Sequence, residues 1–218
     1  MPDTSPNRCR IVLIAPQGLA ADVFVERFGK ALAGGDVASV ILPAYELGEV
    51  EFQELAEKIV PIAQAKNVAV VIAGESRIAA RTKADGVHVA GGRAALDDAI
   101  DRLQGKMIVG TGGAKTRDDA LELGEARPDY IFFGRFGYDT KPEPHPRNLT
   151  LGRWWAEMIE VPCIVMAGAD VESTRDVAAT GAEFVALSNA VFSDAIDPAA
   201  AIARANAILD EVAQRFKD

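Results

Sequence analysis

Cysteine is nearly absent from this chain, with Cys9 and Cys163 the only two among 218 residues. Two thiols make neither a disulfide framework nor the paired spacing of a zinc site. Both are expected to be reduced and buried or half-buried, in a cytoplasmic protein. Histidine is as sparse, and His88 and His145 lie too far apart in sequence to form a metal-ligand pattern. No apolar run approaches the roughly 20 residues needed to cross a bilayer. The opening MPDTSPNRCR is polar and leads into only a short apolar run, a poor export signal. Excess positive charge is missing too. Lysine plus arginine is 23 against 32 aspartate plus glutamate, a formal charge of −9. Nucleic acid and anionic membrane are therefore not expected partners, whereas a small phosphorylated ligand needs only a few local donors and stays open.

What is present is a repeat. Short β-rich runs recur at 10–16, 37–43, 68–74, 85–91, 107–113, 129–134, 162–168 and 184–192, most of them continuously apolar and ending near glycine or proline. Continuous apolarity is the pattern of parallel strands covered on both faces. Between them run helical stripes: Phe52, Leu55, Ile59 and Ile62, then Leu96, Ile100 and Leu103, and finally Ile202, Ala205, Leu209, Val212 and Phe216. Segments 116–124 and 76–83 carry only partial stripes. A small residue followed by an acid leads into a strand in GGDVASV, KADGVHV, EARPDYI and GAEFVAL. Eight βα arms of roughly 27 residues imply parallel crossovers, and close most simply into a (β/α)8 TIM barrel. The alternative is a doubly wound open sheet, but QGLAAD after the first run lacks the G-x-G-x-x-G turn of a nucleotide fold. One domain over 1–218 is expected, with its core at 10–216 and residues 1–9 flexible.

In such a barrel the strand C-termini and the loops after them form the working face. The longest of these loops, 135–149, lies in FFGRFGYDTKPEPHP and carries Lys141, with Arg135 and Arg147 as further cations. Its prolines limit the entropy lost when a ligand orders it. Gly168 and Ala169 after the seventh run, and Ser188 and Asn189 after the eighth, are candidates to offer main-chain N–H groups to a phosphate. Tyr45, Phe136 and Tyr138 are candidate walls of the pocket, as are Arg93, Gly112 and Gly113. His88 is a candidate acid–base group, and Lys141 a second. Among carboxylates, Glu46, Glu75 and Asp170 are in range. Glu75 is the one candidate metal ligand, although a cap for the helix beginning at Ser76 suits it as well. In the adjacent pair Trp154 and Trp155 one ring must face away from the buried stripe, a candidate subunit contact, and the oligomeric state stays open.

KADGVHV (83–89), TKP (140–142), MAGAD (166–170) and GAEFVALSNAVF (181–192), in that order from Arg10 to Phe192, resemble the thiamine-phosphate synthase family and its TenI-like relatives. The resemblance implies a (β/α)8 barrel. It also implies that synthase members join a hydroxymethylpyrimidine diphosphate to a thiazole phosphate with Mg²⁺ bound. Lys141 matches the lysine that contacts the diphosphate, Gly168 matches the turn holding the thiazole phosphate, and Asn189 stands where serine is usual. Other positions depart from the pattern. Ile41, Pro43 and Tyr45 stand at the family's Q-x-R-x-K, and Ala73 and Gly74 at its Asn-Asp pair. Arg93 falls near its second metal aspartate, and Gly112 or Gly113 at its serine. The resemblance therefore implies a thiazole-phosphate-type ligand in thiamine metabolism with Mg²⁺ only if synthase activity is retained. A non-catalytic phosphate-binding regulator and a TenI-like tautomerase are the alternatives.

Overall fold

The computed structural model describes residues 8–215. Most of the segment expected to be flexible, and Phe216 of the last stripe, lie outside these residues. Eight parallel strands close into a barrel in chain order: β1 (Arg10–Ile14), β2 (Ser39–Pro43), β3 (Ala69–Ala73), β4 (Gly86–Val89), β5 (Ile108–Gly112), β6 (Tyr130–Phe133), β7 (Cys163–Met166) and β8 (Phe184–Leu187). Closure comes from β8 pairing with β1, with Arg10 opposite Phe184 and Leu13 opposite Leu187. The ring has no free edge, which rules out the doubly wound alternative.

Each strand alternates between two cores. Val12, Ile14, Ile41, Val71, Ile164, Met166 and Ala186 point into the barrel with Tyr130 and Phe132. Their neighbours, such as Ile11, Leu13, Val70, Val165 and Val185, face the helices. Two apolar faces per strand explain why the runs read as continuous. Inside the barrel Tyr130 is accommodated by Gly110, since a Cβ there would come within 2.0 Å of the tyrosine ring.

The outer layer is α1 (Ala21–Ala31), α2 (Glu49–Gln64), α3 (Ser76–Thr82), α4 (Gly92–Leu103), α5 (Arg117–Gly124), α6 (Pro146–Met158), α7 (Thr174–Ala178), α8 (Asn189–Phe192) and α9 (Pro198–Arg215). The stripe residues Phe52, Leu55 and Ile59 of α2, Leu96 of α4, and Ile202, Ala205, Leu209 and Val212 of α9 are buried as the spacing requires. The apolar run 184–192 is not one strand. It breaks at Ser188, whose carbonyl accepts the amides of Val191 and Phe192 and starts the buried turn α8. Trp155 is buried with its indole N–H on the Val161 carbonyl, while Trp154 turns half outward under the Arg117 guanidinium.

The recurring acid before a strand has a structural cause. Asp85, just before β4, accepts the Val70 amide at 2.8 Å, and Asp129, before β6, accepts the Val109 amide at 2.7 Å. Glu183, before β8, accepts the Cys163 amide at 2.8 Å. Asp36, before β2, instead pairs with the Arg10 side chain at 2.7 Å. An acid ahead of every even strand thus holds the beginning of the odd strand before it.

Candidate functional site

The mouth of the barrel is divided by the β6–α6 loop, residues 134–145. On one side lies a cavity of about 630 Å³ lined by Tyr45, Glu75, His88, Arg102, Arg135 and Phe136, among others. On the other a cavity of about 580 Å³ is lined by Arg135, Tyr138, Lys141, His145, Arg147 and Met166, among others. The two candidate acid–base groups are therefore separated, with His88 in the first cavity and Lys141 in the second. The expected aromatic wall is divided as well. Tyr45 and Phe136 line the first cavity, whereas Tyr138 is exposed in the second, beneath the Arg135 guanidinium at 3.7 Å.

His88 points into the barrel from β4 and is buried, with Nδ1 at 2.9 Å from the Tyr130 hydroxyl. Phe136 packs edge-on against it at 5.1 Å and stacks on Phe132 at 4.9 Å. Desolvation in this aromatic nest pushes the imidazole down to about 4, so it is neutral at physiological pH and supplies no positive charge to a phosphate. Burial likewise raises the Tyr130 hydroxyl, which stays protonated. Gly112 serves this cluster, since a Cβ there would stand 3.2 Å from the His88 ring. Gly113 has open space around it.

Tyr45 is held at φ 47°, a left-handed conformation that a bulky side chain rarely adopts, and its hydroxyl donates to the Ala15 carbonyl at 2.9 Å. The ring lies against the β6–α6 loop, where a Cβ on Gly137 would stand 3.5 Å from it and 2.7 Å from Gln17 Oε1.

The main-chain donors expected to receive a phosphate are mostly covered by the protein itself. Three of the four named amides already have a protein partner. Gly168 N–H donates to Ser173 Oγ at 3.0 Å, Ala169 N–H to the Lys141 carbonyl at 2.7 Å, and Asn189 N–H to Asp139 Oδ2 at 2.7 Å. The cause is the loop itself, which runs as a strap over the ends of β7 and β8. Gly168 is glycine for that reason, because a Cβ there would come within 2.0 Å of the Pro142 carbonyl oxygen. Asp139, which carries no signal in the sequence, is the residue that seats the strap on Asn189. Asn189 Nδ2 completes the pair by donating to the Asp139 carbonyl at 3.0 Å. Ser188 is buried and forms the bend before α8.

Arg93 does not reach the mouth. Its guanidinium lies on Asp97 and on the Glu122 carbonyl at the α4–α5 contact, so it is no pocket wall and no substitute for a metal. Asp170 caps the turn after β7 by accepting the Glu172 amide. Glu75 occupies the N-cap position of α3 without a side-chain capping hydrogen bond. It is the one mouth carboxylate in the first cavity without an ion pair, since Asp98 is engaged by Arg102. Among the described residues no three His, Cys, Asp or Glu side chains could hold a metal. Glu75 alone, exposed and with no second free carboxylate beside it, does not make a resident Mg²⁺ site, since an ion held by so few protein ligands depends on substrate phosphates for the rest.

A family model described as thiamine monophosphate synthase matches residues 11–191. The chain belongs to this family. It is 33% identical to the thiamine-phosphate synthase of Rhodospirillum centenum over 205 residues, covering 92% of this chain and 98% of that protein. The thiamine-phosphate synthase of Hyphomonas neptunium is 29% identical over 98% of this chain and 100% of its own. Among solved structures the thiamine phosphate pyrophosphorylase of Pyrococcus furiosus superposes with a TM-score of 0.78 at 20% identity, over 94% of this chain and 98% of that one. A 3-hexulose-6-phosphate synthase superposes at 0.71 with 21% identity, over 91% and 99%. At such identities these two likenesses speak for the barrel alone. As a member of the thiamine monophosphate synthase family the protein has its place in thiamine metabolism, and no helix among the described residues is long and apolar enough to cross a membrane.

Proposed function

We propose that this family member binds a small phosphorylated heterocycle of the thiazole-phosphate type at the β6–β8 side of the mouth, without the Mg²⁺-assisted release of diphosphate. One observation carries the reading. Arg135, Lys141 and Arg147 line a single cavity, and none of them has an ion pair, in a chain of formal charge −9 where most other arginines are tied to carboxylates. Unpaired cations beside a concave surface favour an anion, since none has to give up a carboxylate to receive it. Tyr138, exposed in the same cavity beneath the Arg135 guanidinium, offers a flat apolar face for the ring.

Across the mouth, the ends of β2 and β3 present Pro43, Ala44, Tyr45, Ala73 and Gly74 to the first cavity. These side chains cannot neutralise a departing diphosphate. Each missing charged hydrogen bond forgoes about 1.5–3 kcal/mol, which argues for binding, sensing or tautomerisation over synthesis.

Calorimetry with thiazole phosphate, run beside an assay of diphosphate release with both synthase substrates and Mg²⁺, tests the reading. Saturable binding without release is expected. Rapid Mg²⁺-dependent release overturns the non-synthase part, and absence of binding overturns the ligand assignment.

A further inference from the structure

Asp139 is an unusual residue to find under a strap. It is only 4% exposed, and its Oδ1 is buried with no hydrogen-bond partner. No lysine or arginine pairs with it, and Oδ2 rests on the single amide of Asn189. A carboxylate kept for stability alone would gain from a cation or a second donor, because a buried, half-satisfied charge is costly. The residue sits where an anion is satisfied by main-chain N–H, at the bend between β8 and α8.

We propose that Asp139 is a built-in competitor for the ligand phosphate: its carboxylate occupies the Asn189 amide in the free protein and leaves when a phosphate takes its place. This rests on the phosphate-ligand reading given above and adds its regulation. The strap supports the exchange with its own geometry. Carbonyls of Lys141 and Pro142 occupy the amides of Ala169 and Asp170, so lifting residues 139–142 frees three N–H groups, on Ala169, Asp170 and Asn189. Lys141 lies two residues from Asp139 and has no partner to lose. Opening moves Asp139 from a desolvated position into water, which offsets part of the cost of breaking the strap contacts. The same movement presents an ammonium group and freed amides to a dianion with more acceptor sites than a carboxylate. Exchange of one anion for another sets a threshold: the apparent affinity is lowered by the fraction of protein in which the strap is closed.

Burial raises the Asp139 carboxyl above its ordinary range, against the opposing pull of the Asn189 amide, as expected for a charge held at a cost.

The experiment is a titration of the full chain with inorganic phosphate, followed by calorimetry and by the backbone amide NMR signals of Ala169 and Asn189. The native protein is compared with Asp139→Ser, which removes the carboxylate, and Asp139→Asn, which keeps its shape. Phosphate is expected to shift both amides, and Asp139→Ser is expected to bind it about tenfold more tightly. Folded variants that bind no tighter, while the Asn189 signal still responds, overturn the competition and leave phosphate binding standing. An Asn189 signal unmoved in every protein overturns the phosphate reading of the site itself. Limited proteolysis of the native chain needs no variant: cleavage within 134–145 is expected to accelerate with phosphate, and unchanged cleavage at saturation overturns displacement of the strap.

Discussion

His88 Nδ1 and the Tyr130 hydroxyl meet at 2.9 Å inside the barrel, both buried. The pair makes acid sensitivity a property of the core. Folded His88 titrates at about 4 against 6.5 when exposed, so the unfolded chain takes up a proton that the folded one refuses. This contribution to stability is intact above pH 6.5 and is lost as pH falls towards 4, by an amount on the order of 3 kcal/mol. Urea denaturation between pH 7 and 4 checks it. His88→Gln is expected to flatten that part of the profile, and an unchanged slope in the variant would place the acid sensitivity elsewhere.

Gly168→Ala places a methyl group against the Pro142 carbonyl. Since both belong to packed backbone, a loss of ~1–3 kcal/mol is expected. The strap carries the carbonyl that the methyl group meets and should give way first. A lowered melting temperature together with faster protease cleavage within 134–145 is the expected pair of results.

Lys141→Ala and Arg147→Ala remove exposed cations that make no ion pair. Stability should change by less than about 0.5 kcal/mol, while inorganic phosphate binding weakens about tenfold for Lys141→Ala. Thermal melts and calorimetry on the same samples separate the two effects. An unaltered affinity returns Lys141 to an ordinary surface charge.

Asp129→Ala deletes the carboxylate that accepts the Val109 amide. A charge-assisted bond at a half-open site is worth about 1–2 kcal/mol. Chemical denaturation should show that loss with an unchanged m-value, since the surface exposed on unfolding is the same.

Both thiols should be inert in the folded chain. Burial raises Cys9 to about 12 and Cys163 further, leaving almost no thiolate near neutrality. Iodoacetamide at pH 8 is expected to modify the native protein about tenfold or more slowly than the denatured one, read by mass spectrometry.

The barrel was legible because its physics is periodic. Continuous apolar strands, stripes such as Phe52–Leu55–Ile59 and the acid ahead of each even strand all repeat over distances that sequence exposes directly. The site was less legible because it depends on one non-repeating strap. Nothing in the quoted loop distinguishes Asp139 from its neighbours until its carboxylate is seen on Asn189, fifty positions away. The glycine at 168 has a cause that sequence does not display: it yields to the Pro142 carbonyl of the chain. Resemblance alone sets Arg93 near the mouth, and Asp97, one helical turn further on, draws its guanidinium away. The strand run 184–192 hid a helix because a buried turn such as α8 is as apolar as a buried strand.

The acids ahead of the even strands have a consequence for assembly. Each of these four fastenings at the base joins an odd strand to the even one that follows. The ring is thus stitched in four successive quarters, each a two-strand hinge plate with its own rivet, and drawing any one rivet loosens its quarter without unfastening the other three.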